Sequence, residues 1–182
     1  MDTKQPTPQP TVTPMTDPTD SQSLDAPPPY RFLSTSPERT REIAAHIGRL
    51  AKPSLVITLT GELGSGKTCF VQGLAQGLDV PADQYVTSPS YTLIHSYRGR
   101  LTLHHVDLYR LSGDDIEDIG LLDLMAEDAV TAIEWSERLT ADQPRERLGV
   151  DIRFVDETCR RVAITAYGLA PTILLKGLPN VI

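Results

Sequence analysis

Between a β-branched run, Leu55-Val56-Ile57-Thr58-Leu59, and a stretch with helical apolar spacing stands Gly61-Glu62-Leu63-Gly64-Ser65-Gly66-Lys67-Thr68. Glycine, four residues, then Gly-Lys-Thr is the P-loop pattern, and no other feature of the chain limits its fold as strongly. Glycines let the backbone curl until successive N–H groups converge on phosphate oxygens, and the helix that follows adds the positive end of its dipole. Lys67 is then the group that reaches the β- and γ-phosphates, and the Thr68 hydroxyl is a magnesium ligand. Cys69, next along the helix, closes the candidate phosphate-binding set and otherwise packs behind the loop.

A P-loop needs a buried strand to launch it and a helix to receive it, and the flanking sequence supplies both. Phe70, Val71, Leu74 and Leu78 fall on one side of a helix running from Lys67 to about Leu78. Upstream, Ser36-Pro37-Glu38 opens another helix with a capping hydroxyl, a proline at the first position and an early acid. Its apolar face is Ile43, Ile47, Leu50 and Ala51, and Pro53 bars its continuation. Extended stretches are expected at Tyr91 to Tyr97 and Leu101 to Tyr109 around a turn at Arg98-Gly99-Arg100. An acidic helix is expected from Asp114 to about Asp128, then a buried strand at Ala129 to Ile133 and a strand pair, Leu148 to Phe154 with Arg161 to Ala166. The class is therefore α/β, a P-loop-type sandwich with a mainly parallel sheet, helices on both faces and antiparallel strands at one edge.

Eight of the 15 prolines lie in the first 29 residues, interleaved with Thr, Gln, Ser and Asp. Such a segment buries too little apolar surface to offset its ordering entropy, so residues 1–29 are expected to be a disordered tail and 30–182 the folded domain. The tail has no apolar run of a secretory signal, and no stretch of the chain approaches the ~20 apolar residues of a membrane span. Two cysteines, Cys69 and Cys159, make neither a disulfide framework nor a zinc pattern, and a cytoplasmic setting fits them. A formal net charge of −7 argues against a broad nucleic-acid grip, so any RNA would be met through a partner.

A P-loop enzyme also needs an acid near the magnesium and a group that orients the attacking water. Asp107 and Glu134 each end an extended run, the place where α/β sheets set ligand groups. By pattern alone either is a site residue or an exposed strand end. Asn180 is the sole asparagine, which rules out the Asn-Lys-x-Asp element by which guanine-specific relatives of this loop usually read their base, and ATP is the better ligand. The segment from Ser36 to Thr40 is a candidate for holding the adenine, with Thr40 the residue singled out. His104 and His105 lack metal-ligand spacing and read as structural.

Four ordered segments together resemble one family: Gly61 to Thr68, Ser88-Pro89-Ser90-Tyr91-Thr92-Leu93, His105-Val106-Asp107-Leu108-Tyr109-Arg110-Leu111 and Ile133-Glu134-Trp135-Ser136-Glu137. In order and approximate spacing they look like the TsaE family of bacterial ATPases, over about residues 34 to 167. The resemblance implies a subunit that hydrolyses ATP with Mg2+ beside the TsaB and TsaD proteins, which make threonylcarbamoyl-adenosine in tRNAs reading codons that begin with A. TsaD does the transfer chemistry, and tRNA is met only through the complex. It also implies Thr68, Asp107 and Glu134 at the metal, with Lys67, Asp107 and Glu134 catalytic. Trp135 is placed near the nucleotide or in the core, and Ser88 to Thr92, including Ser90, is a switch loop or an ordinary turn. Family members usually carry Thr at the position of Ser90 and Pro at that of Ser136, so a looser loop around Glu134 is expected here.

No arginine is evident as a finger on the transferred phosphate, so slow hydrolysis raised by a partner is the leading expectation. A small-molecule kinase and a non-catalytic nucleotide-binding module are the alternatives. The stretch Asp114, Asp115, Glu117, Asp118, Asp123, Glu127 and Asp128, without Lys or Arg, is a poor wall for a phosphate acceptor and reads as a solvated face or a docking surface.

Overall fold

The computed structural model describes residues 30–139 and 143–178. The Pro/Thr-rich segment 1–29 and residues 179–182 lie outside them. Among the described residues seven strands form one sheet in the order β1-β7-β6-β2-β5-β4-β3. They are β1 Tyr30–Ser34, β2 Leu55–Thr60, β3 Ile94–Tyr97, β4 Leu103–Asp107, β5 Val130–Glu134, β6 Arg147–Phe154 and β7 Arg160–Tyr167. The helices are α1 Pro37–Leu50, α2 Lys67–Gly77, α3 Leu121–Ala126 and α4 Leu169–Lys176.

The four central strands β6, β2, β5 and β4 are mutually parallel. Strands buried on both faces read as continuous apolar runs, which is how β2 and β5 appear in the sequence. Antiparallel pairing extends the sheet at both edges, through the β6–β7 hairpin and β1 on one side and through β3 on the other, where one antiparallel edge was expected. On one face Ile43 and Ile47 of α1, Phe70 and Leu74 of α2 and Leu175 of α4 cover Ile57, Leu59, Leu148 and Ile152. On the other, Val56, Val106 and Ile133 pack under Ile116, Leu121 and Leu139, carried by short helical pieces. Burying a single side chain such as Phe70, fully enclosed here, contributes about 1.5–3 kcal/mol.

The capping signals of α1 work as the sequence suggests: the Ser36 hydroxyl accepts from Arg39 N at 3.2 Å, one turn in. Crossing of α1 over α2 is close, and a Cβ at Gly77 would overlap the Ala45 carbonyl. Two expectations change. Tyr91 to Leu93 is a turn, not strand, because Leu93 adopts φ 67° and its N–H closes on Pro89 O, so β3 starts at Ile94. The acidic stretch is not one helix: a 3-10 helix, Gly113–Ile119, ends where Gly120 turns left-handed at φ 68°, and α3 follows. Strand β1 and helix α4 have no counterpart among the expected elements.

Candidate functional site

Strand β2 ends at Thr60 and α2 begins at Lys67, and the loop between them is shaped by its glycines. Gly61 has φ 138°, and a Cβ there would overlap the Ile152 carbonyl of β6 and lie 2.8 Å from Ser65 Oγ. Gly66, at φ 111°, has open space where its Cβ would be, on the wall of a cleft of about 380 Å3. The loop is braced from β7: Arg160 Nε donates to Ser65 O at 3.1 Å while its guanidinium lies 4.2 Å from the Phe154 ring.

Lys67 is 4% exposed and donates to Gly61 O at 2.7 Å and Glu62 O at 3.0 Å. Its Nζ also sits 3.7 Å from the centre of the Trp135 ring. Burial pushes the ammonium below the usual lysine range, and the carboxylates of Glu134, Glu137 and Asp107 oppose that shift. Trp135 is held at φ 59°, a conformation a bulky residue adopts only when its surroundings impose it. Tyr109 packs against it with ring centroids 4.9 Å apart.

The two candidate acids are register partners on adjacent parallel strands, Asp107 at the end of β4 and Glu134 at the end of β5. Neither is a solvated strand end, at 2% and 3% exposure. Glu134 Oε1 accepts from the Thr68 hydroxyl at 2.8 Å. Asp107 Oδ2 accepts from Ser88 Oγ at 2.5 Å and Oδ1 from Tyr109 N at 2.9 Å. Ser88 and Ser90 line the same cleft, so the 88–92 segment stands against the acids as a turn.

Lys67, Thr68, Asp107, Glu134, Trp135, Ser90, Leu63, Gly64 and Gly66 are thus brought together around one opening. Gly61, Glu62 and Ser65 form the body of the loop. Thr40 is not brought there: it is 4% exposed, and its hydroxyl bonds Ser34 Oγ at 2.7 Å within the β1–α1 joint. Cys69 faces α1, where its thiol donates to Pro37 O at 3.3 Å and burial pushes its pKa up. Ser136 is better held than the loss of proline implies, since its buried hydroxyl donates to Leu59 O at 3.3 Å and its carbonyl accepts from Gln143 at 2.6 Å. Tyr109 and Arg110 also line the cleft, and Arg110 lies 4.4 Å from the Tyr91 ring. They sit two and three residues past Asp107, so the strand end that placed the acid also pointed to them.

A hydroxyl and two carboxylates are hard oxygen donors that suit Mg2+, which keeps several waters and relies on phosphate oxygens for the rest of its shell. No group of three or more His, Cys, Asp or Glu among the described residues could hold a metal by itself. No helix among them is long and apolar enough to cross a membrane.

A family model described as threonylcarbamoyl adenosine biosynthesis protein TsaE matches residues 34–162. The chain is 38% identical over 135 residues to the tRNA threonylcarbamoyladenosine biosynthesis protein TsaE of Treponema pallidum, covering 74% of this chain and 98% of that protein. It is 37% identical over 139 residues to the Bacillus subtilis protein of the same name, covering 76% and 86%. The crystal structure of Bacillus subtilis YdiB superposes with a TM-score of 0.72 at 32% identity, over 85% of this chain and 95% of that one. A P-loop with two buried acids at its mouth, and this likeness along nearly the full length of the relatives, identify the chain as a member of the TsaE family.

Proposed function

We propose that this chain is the ATP-hydrolysing subunit of the machinery that makes threonylcarbamoyl-adenosine in tRNA, acting with TsaB and TsaD. The observation that carries the ATPase reading is the 2.8 Å bond from Thr68 to Glu134, with Asp107 alongside in register. A hydroxyl that gives its lone pair to a cation must direct its proton elsewhere, and Glu134 Oε1 is the acceptor. Thr68 and Asp107 would hold Mg2+, which when bound neutralises charge on the β- and γ-phosphate oxygens. Lys67 and the loop N–H groups bind and orient the phosphates, and Trp135 holds Lys67 at the mouth of the loop. Glu134 positions the attacking water and draws its proton toward the carboxylate.

The tRNA pathway enters through the names of the relatives. Exposed Leu63 and Tyr91 on the rim of the cleft support a site that a partner covers. The test is calorimetric binding of ATP and GTP with Mg2+ or with EDTA, for the full chain and for Lys67→Ala, together with turnover of Glu134→Ala. ATP-selective, Mg2+-enhanced binding that Lys67→Ala loses, with turnover lost in Glu134→Ala, fits the reading. Turnover indifferent to Glu134→Ala would make the chain a binding module, and phosphate transfer to a metabolite would make it a kinase.

A further inference from the structure

His105 touches the site without lining its cleft. Strand alternation puts His105 on the same face of β4 as Asp107, opposite the small Ala132 of β5. The imidazole is fully enclosed, and its Nε2 lies 2.8 Å from Glu134 Oε1. Its Nδ1 is equally buried and has no partner among the described residues. A proton on Nδ1 would be a buried donor without an acceptor, whereas a bare Nδ1 leaves only a lone pair unmet. The arrangement therefore selects the tautomer with its proton on Nε2, aimed at the carboxylate.

Glu134 Oε1 consequently receives two donors, Thr68 Oγ1 from α2 and His105 Nε2 from β4, each at 2.8 Å. Oε2 has no partner among the described residues, and Glu134 lines the cleft. A glutamate has three side-chain torsions, and one donor fixes an oxygen without fixing the plane of the carboxylate. Two donors from different elements do both. We propose that His105 is a positioning residue of the nucleotide site: its Nε2–H holds the Glu134 carboxylate so that Oε1 orients the Thr68 hydroxyl and Oε2 is left for the cleft. The proposal rests on the Mg2+-ATP reading above and deepens it by naming what sets the geometry of Glu134.

Three readouts test it on the full-length chain. Nitrogen NMR of the ligand-free protein, with the His105 ring assigned against His105→Gln, should find the proton on Nε2; a bare Nε2 with the proton on Nδ1 overturns the proposal. His105→Phe keeps a ring in the pocket but removes the donor, and His105→Gln restores an N–H at similar reach. Loss of an outer-shell group beside a metal site typically costs about 10–100-fold in metal affinity or activity. His105→Phe should therefore lose the gain in ATP affinity that Mg2+ gives, and its turnover, while its affinity in EDTA stays within about twofold of wild type. His105→Gln should recover most of both. Equal behaviour of the two variants at comparable melting temperatures, or loss of affinity in EDTA in step with melting temperature, would make His105 a core filler and nothing more. If the wild type shows no Lys67-dependent hydrolysis, the ATPase reading fails, while the ring nitrogens and the Mg2+ gain in affinity still decide the role of His105.

Discussion

Gly61→Ala should be far more damaging than Gly66→Ala, although both glycines belong to the same loop and both have positive φ. At φ 138° and 111° neither position suits a side chain, and holding alanine there costs about 1–3 kcal/mol. Alanine also loses less entropy on folding, a gain of about 0.4–1 kcal/mol that is common to both variants and cancels in the comparison. The difference lies in what the methyl meets. At Gly66 it meets nothing within 4 Å, whereas at Gly61 it overlaps the carbonyl of Ile152, backbone in the middle of the sheet that cannot swing aside. Overpacking of that kind adds about 1–3 kcal/mol. Gly61→Ala should thus lose about 2–6 kcal/mol before the common gain, a large share of the ~5–15 kcal/mol typical of a domain. Gly66→Ala should lose only the conformational part, yet bind ATP more weakly because its methyl stands on the cleft wall. Urea unfolding of the two variants and wild type, read at equal slopes, gives the difference directly. Equal midpoints for the two, or a Gly61→Ala midpoint at the wild-type value, would refute the reasoning.

Phe70→Ala empties a fully buried position between α2 and the sheet and should cost about 3–5 kcal/mol in chemical denaturation. Arg160→Ala removes the brace on Ser65 O, a bond contributing about 1 kcal/mol, and should weaken ATP binding by roughly fivefold with the fold intact; unchanged affinity would contradict the brace. Asp156 accepts the N–H groups of Thr158 and then Cys159, which hold its carboxyl below the ordinary 3.8. A depressed carboxylate stabilises the fold above its unfolded value and loses that contribution as pH falls through the folded one. Melting curves should accordingly separate wild type from Asp156→Ala at neutral pH and converge below that range. Trp135 is the sole tryptophan and lies on Lys67, so its emission should change when phosphate oxygens bind Lys67, and should not respond in Lys67→Ala.

The parts of this molecule legible in the sequence are those whose determinants are local. Ser36-Pro37-Glu38 signals its helix through capping chemistry within one turn, and the P-loop is an unbroken octapeptide. Asp107 and Glu134 were visible as strand ends, but that they are buried register partners depends on β4 lying beside β5, which no local pattern states. The brace from Arg160 to Ser65 spans 95 residues, and the contact of His105 with Glu134 spans 29. Such pairings are set by tertiary packing, so His105 reads as a structural histidine until the carboxylate is found beside it. Strand β1 is not legible because an edge strand with exposed Tyr30 and Leu33 lacks apolar alternation, and α4 is not because Pro171 stands in its first turn. Gly120 inside the acidic stretch was a signal available in the sequence, and it is where the expected helix breaks.

The most direct measurement is ATP hydrolysis by the full chain with Mg2+, alone and with TsaB and TsaD from the same source, against Lys67→Ala. The account predicts slow turnover alone, a marked rise with the pair, and loss of both in the variant. No association with the pair and a rate unchanged by it, or hydrolysis that survives Lys67→Ala, would contradict it.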